Sequence, residues 1–206
     1  MQARPDSAPA FWLESWRWAA PAWRREYGAP NGDVDHYAER ILFSGWATRF
    51  GLPQRWRAPD DARWVALVQA PPAALHAIVA VLGGIAWLRA GAPAPVGYAA
   101  AAARWWALAF RYRDVNCMRI RPRTPIDGLP SPQRCGADVL CAMASRAWPD
   151  AESRFAMLAE PRNGAGASDA ECRLEFDSID VSRCLSISGA VRRAWPDEST
   201  DIHRQE

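Results

Sequence analysis

The stretch from Pro71-Pro72 to Gly91 constrains this chain more than any other. Leu75, Ile78, Val79, Leu82, Ile85 and Ala86 recur there at helical spacing, and most residues between them are also apolar. A helix that is apolar on every side must be covered by protein or lipid. Its longest apolar run, Ala77 to Leu88, spans 12 residues, short of the roughly 20 that cross a bilayer. The reading is a core helix, opened by prolines that suit a first turn and broken by Gly91 to Pro95. Inside it, Gly83-Gly84 lacks side chains and lets a second helix come close.

Similar periodicity marks other helices. Trp12, Trp16, Ala19, Trp23 and Tyr27 form one face over Pro9–Tyr27, with Pro21 forcing a kink or two short helices. Asp33 can cap a helix in which Val34, Tyr37, Ile41, Leu42 and Phe50 line one side until Gly51-Leu52-Pro53. A short helix covers Asp60 to Gln69, with Asp60-Asp61 at its start. Another runs from Ala99 through Arg104-Trp105-Trp106, and a further one from Ser131 or Pro132 to Trp148. Asp150 can cap a short helix ending near Pro161, and Val181–Trp195 is helical. The Arg- and Pro-rich stretch Arg111–Pro132 reads as a long loop with an extended piece at Met118–Arg121. Glu171–Phe176 has no clear type.

The fold class is therefore all-α, an irregular domain of about seven to nine helices with a short extended segment near 118–121. Residues 1–162 read as the helical core domain. Residues 163–206 read as a Gly/Ala/Ser linker and an acidic C-terminal helical segment packed on that core. Residues 1–149 carry a net +7 and residues 150–206 a net −5, so the segment can either fold over the basic body or present a second face. Arg146-Ala147-Trp148-Pro149-Asp150 recurs as Arg193-Ala194-Trp195-Pro196-Asp197, a short echo with too few copies for a repeat architecture.

All 25 basic residues are arginine. Without lysine there can be no Schiff-base lysine, no phosphate-loop lysine and no lysine general base, which excludes several enzyme classes. His36, His76 and His203 lie far apart, and no CxxC occurs among the five cysteines. Asp33, Asp35 and His36 form one compact polar trio, read as a helix cap. His76 reads as a core-edge residue, and Cys135 and Cys141 as small packing residues. No GxSxG elbow or dinucleotide glycine pattern is present. The expectation is a protein with no catalytic residues, no metal and no cofactor. Its odd cysteine count and unspecialised first residues fit a reducing cytoplasm.

Two features speak of binding. Arg111, Arg113, Arg119, Arg121 and Arg123 are opposed locally only by Asp114. Guanidinium forks suit carboxylates and phosphates alike, so this run is the candidate partner-binding site. The other feature is 12 tryptophans. Trp12, Trp16, Trp23, Trp46, Trp87 and Trp105 sit at helical spacing, so most of them belong in the core, with a few others left for a partner.

The layout resembles the SctK family (YscK-, OrgA- and Hrp-type) of type III secretion accessory proteins. The resemblance runs through Phe11-Trp12-Leu13 to Trp23, the break at Gly51-Leu52-Pro53, and the Pro-led helix from Pro71 through Leu82-Gly83 to Trp87-Leu88-Arg89. It continues with the block Gly136–Ala147 and Arg154-Phe155-Ala156-Met157-Leu158, so it covers residues 10–160 and excludes the C-terminal part. It implies a noncatalytic helical adaptor in the cytoplasm, peripherally associated with the inner-membrane secretion apparatus. It also implies two partners, an SctQ-type spoke protein and the cytoplasmic domain of an SctD-type ring protein. The alternative is a helical DNA-binding or regulatory protein using Arg111–Arg123 on phosphates.

Overall fold

A computed structural model describes residues 8–27, 36–92, 100–121, 131–161 and 174–195. Asp33, Val34, Asp35, Arg123, the 163–168 linker, His203, and Pro196-Asp197 of the echo lie outside them. Ten α-helices occur among the described residues: α1 (Ala10–Leu13), α2 (Ser15–Trp18), α3 (Pro21–Tyr27), α4 (His36–Phe50), α5 (Ala62–Val68), α6 (Pro72–Arg89), α7 (Ala100–Tyr112), α8 (Pro132–Ala147), α9 (Glu152–Ala156) and α10 (Val181–Ala194). Strands β1 (Met118–Arg121) and β2 (Glu175–Ile179) pair in one antiparallel sheet. The fold is all-α with this small addition. The number of helices exceeds the expected range because Pro9–Tyr27 divides into three pieces rather than two. The backbone leaves helical geometry at Glu14 and again at Ala19, before Pro21 opens α3.

Helix α6 is the axis. Twelve of its 18 residues are buried, as an all-round apolar pattern demands, and α7, α8 and α10 cover it. A Cβ placed on Gly83 would lie 1.7 Å from the Pro132 carbonyl oxygen, and one on Gly136 would lie 1.9 Å from that of Val79. Helices α6 and α8 therefore meet backbone to backbone. On the adjoining side, a Cβ on Gly84 would sit 2.7 Å from the Ala109 Cβ of α7. Both glycines of the Gly83-Gly84 pair are thus sites of close helix approach.

The acidic C-terminal segment folds onto this body. Met118 lies opposite Ile179 and Arg121 opposite Glu175, with an irregularity between Arg119 and Ile120. The Asp180 N–H donates to the Cys117 carbonyl at 2.7 Å. Its side chain accepts from the Arg183 N–H and so caps α10. Cys184, Leu185, Ile187 and Val191 then join the main core. Asp61 caps α5 in the same way, by accepting from Arg63. Asp150 does not cap α9: it lies in the 3-10 turn Pro149–Ala151, and α9 ends at Ala156 without reaching Pro161.

Three sequence expectations need correction. The inward face of α4 is Leu42, Phe43, Trp46, Ala47 and Phe50, which packs with Trp16, Ala19, Leu52 and Met157. Ile41 points out, 56 % exposed, because the helix takes its register from Trp46 and Phe50 rather than from Ile41. Secondly, Arg111 is helical, since Leu108, Ala109 and Tyr112 continue the packing of α7. Thirdly, burial does not follow the expected division of the tryptophans, although none of the 12 is fully exposed. Trp18, Trp64 and Trp148 are buried alongside Trp12, Trp16 and Trp46, whereas Trp23, Trp87 and Trp105 are only half-buried.

Aromatic packing accounts for that last difference. Trp148, at the end of α8, stacks on Trp12 at 5.7 Å and meets Trp56, Trp64 and Phe155 edge-on. Its indole N–H donates to the Arg57 carbonyl at 3.2 Å. Arg154 closes the cluster. It is 1 % exposed, lies over the Trp12 ring at 3.7 Å, and donates to the carbonyls of Trp12 and Pro53 and to Ser15 Oγ. Burial pulls its guanidinium down to about 10, with the Asp150 carboxylate opposing, so it remains charged at neutral pH.

Gly83→Ala should destabilise the protein by about 3 kcal/mol or more, since neither backbone can yield. Gly45, in α4, has nothing within 4 Å of a built Cβ, so Gly45→Ala should stabilise by about 0.5–1 kcal/mol. Urea denaturation of both variants measures the contrast. Equal effects of the two substitutions would contradict the close approach of α6 and α8.

Candidate interaction surface

The candidate arginines follow the chain from the last turn of α7 into β1. Ala103, Ala107, Phe110 and Arg111 are exposed at helical spacing on α7, while Ala109 is fully buried against α6. Phe110 is 50 % exposed, and the Arg113 guanidinium carbon lies 3.8 Å from its ring centroid. Arg113 also approaches Asp114 at 3.4 Å. Arg111 and Arg119 make no ion pair with any described residue. Arg121 does: its Nε donates to Asp177 Oδ1 at 2.7 Å, and Glu175 lies 3.8 Å away. The segment thus mixes unpaired guanidinium groups, a stacked Arg-Phe pair and one arginine already neutralised by the C-terminal segment.

The turn that carries these groups is held from behind. Arg89 donates to the carbonyls of Arg113 and Val115 at 3.0 and 3.1 Å, and Arg183 donates to that of Asn116 at 2.9 Å. Neither arginine stands out in the sequence, because nothing in their spacing signals a carbonyl 24 or 67 residues away. Arg104 lies over the Trp195 ring at 4.3 Å and donates to the Ala194 carbonyl. This braces the other end of α7 on α10.

The remaining polar groups sit as follows. Among the described residues no three His, Cys, Asp or Glu side chains gather as a metal set. Cys135 is fully buried, and burial, with Asp138 adding to it, pushes its thiol up to about 12. Cys141 is half-buried and donates to the Glu152 carbonyl. Cys117 and Cys184 are buried side by side, and the hydrogen bond that Cys184 donates to Cys117, followed by burial, pushes the Cys184 thiol up.

His76, on α6, is open to a groove yet ringed by protein atoms. Burial lowers its pKa and the nearby Arg24 charge adds to this, against a hydrogen bond to the Trp18 backbone. Comparison with protein-family models, with curated proteins and with solved structures finds no match to this chain.

The His76 shift has a defined sign. Its folded pKa lies below the ordinary 6.5, so the unfolded chain binds the proton first. The stability it contributes is present above 6.5 and is lost as pH falls through that value towards the folded pKa. Urea midpoints at neutral pH and at about pH 5 should therefore fall further in the wild type than in His76→Gln. Parallel falls would count against the shift.

Proposed function

We propose that this chain is a noncatalytic helical adaptor that works by protein-protein contact. The observation that carries the reading is the exposed end of α7. There Phe110 lies bare beneath Arg113, beside Arg111. Arginine and aromatic side chains are the preferred anchors of protein interfaces. A bare phenylalanine is costly to leave in water and gains nothing from a phosphate backbone. Arg121, paired with Asp177, and Arg113, beside Asp114, are partly neutralised, which weakens the case for nucleic acid.

The finer reading is an adaptor of the SctK type, joining the sorting platform of a type III secretion system to the inner-membrane ring. Its support is the order of features along residues 10–160. The Trp-bearing N-terminal helices, the break at Gly51, the Pro-led apolar helix and the block before Arg154 occur in the family's sequence. In that reading the partners are an SctQ-type spoke protein and the cytoplasmic domain of an SctD-type ring protein, and the chain acts in the cytoplasm at the apparatus.

Co-purification of the intact, folded chain with the SctQ-type protein at physiological salt tests this. A stable complex is expected. Phe110→Ala combined with Arg111→Glu should weaken it by at least about tenfold. No complex with the folded protein would sink the SctK-type assignment. Tight DNA binding that falls steeply with salt would favour the phosphate reading instead.

A further inference from the structure

A second surface, sharing no residue with the end of α7, is a groove of about 590 Å³ between α3, the start of α6, the first turn of α8 and the segment after α9. We infer that this groove is a docking site for an acidic peptide segment of a partner protein, a carboxylate flanked by apolar side chains. The inference stands whether or not the adaptor reading holds, because it rests on different residues.

Charge is the first argument. Arg17, Arg24, Arg134 and His76 line the groove, and among the described residues Glu160 is the one carboxylate in the lining. Internal partners occupy most of these groups. Arg17 pairs with Glu14 and Glu39. Arg134 lies 3.4 Å from Asp138 and donates to the Glu160 carbonyl at 3.0 Å. The Glu160 carboxylate accepts the Ala22 N–H at 3.1 Å. Arg24 differs: its side chain makes no hydrogen bond or ion pair with any described residue, and its Nε is buried without a partner. A cation half-buried beside a histidine, with no anion among the described residues to answer it, favours an external anion. The first turn of α8 adds the positive end of a 16-residue helix to the same wall.

Shape and rigidity are the second argument. Beside the polar Ser131 and Gln133, the lining carries the apolar Ala19, Ala20, Pro21, Leu158 and Ala159, which suits a peptide carrying apolar side chains better than a bare anion. The walls are fixed in advance. Ala20 N–H donates to the Met157 carbonyl at 2.8 Å, and the Trp23 indole donates to the Ala159 carbonyl at 2.8 Å. A preformed groove spares a ligand the cost of ordering it.

The test uses the full chain and a short fluorescein-labelled peptide of alternating Glu and Leu, with its Gln/Leu counterpart as neutral control. Fluorescence anisotropy should show binding of the Glu peptide and not of the Gln peptide. Arg24→Gln should weaken that binding about tenfold, whereas Arg55→Gln, at an exposed position, should leave it unchanged. Equal binding of the two peptides would overturn the proposal. So would wild-type affinity in a folded Arg24→Gln variant, or an equal loss caused by Arg55→Gln. Binding of inorganic phosphate without any response to the Glu peptide would also overturn it, by showing an anion site with no peptide specificity.

Discussion

The contact between α6 and α8 is the constraint on which the remaining packing depends. At Gly83 and Gly136 each backbone occupies the space where the other helix would need a Cβ. Side chains adjust by changing rotamer, but backbone at this distance does not, so the crossing is fixed in position and angle. Consequences follow at both ends of α8. Its first turn is pressed against α6, which places Ser131 and Arg134 beside the groove at His76. Its last residues deliver Trp148 into the aromatic cluster. Helix α7 uses the next glycine, Gly84, and thereby turns Phe110 and Arg111 outward.

The N-terminal pieces are held by a different device. Helices α1 and α2 have four residues each, far too short to persist alone. Arg154 binds them by reaching Trp12, Ser15 and Pro53 at once, with its guanidinium against the Trp12 ring. A buried charge is tolerated here because carbonyls and a ring face surround it. The arrangement joins residues 139 to 142 apart in sequence. It thereby makes α9 and the N-terminus parts of one structure.

Much of this fold is legible in the sequence, and the pattern of failures is physical. Helices α6, α8 and α10 follow from periodicity, as does the extended piece at Met118–Arg121, because their burial repeats along the chain. The α4 register escapes, since Ile41 and Leu42 are adjacent and equally apolar, and only the aromatic neighbours Trp16 and Trp23 select between them. Trp56 lies outside the helices, where no period assigns a face, and Trp148 is the C-cap of α8, where helical geometry ends; both belong to the aromatic cluster. The candidate arginines divide likewise. Which guanidinium is neutralised depends on Asp177 lying 56 residues from Arg121, a distance that only the β1–β2 pairing closes. His76 is readable as a core-edge residue, whereas its proximity to Arg24 follows from tertiary packing.

The lysine-free composition acquires a structural meaning from these contacts. Arg89, Arg104, Arg134, Arg146, Arg183 and Arg192 each donate to a backbone carbonyl on another element. A planar guanidinium has five donors and can bridge such carbonyls while covering apolar surface with its stem, which a compact ammonium does less well. Arginine in this chain is therefore largely an internal fastener, and a count of positive charge overstates what is offered to a partner. The net +7 of residues 1–149 is spent in part on carbonyls and on the acidic segment folded back over β1. Arg24, Arg111 and Arg119 are among the arginines whose side chains no described residue answers, and they lie beside the groove at His76 and near the exposed Phe110. Recognition in this protein is accordingly sought at those unanswered cations and the apolar surface next to them.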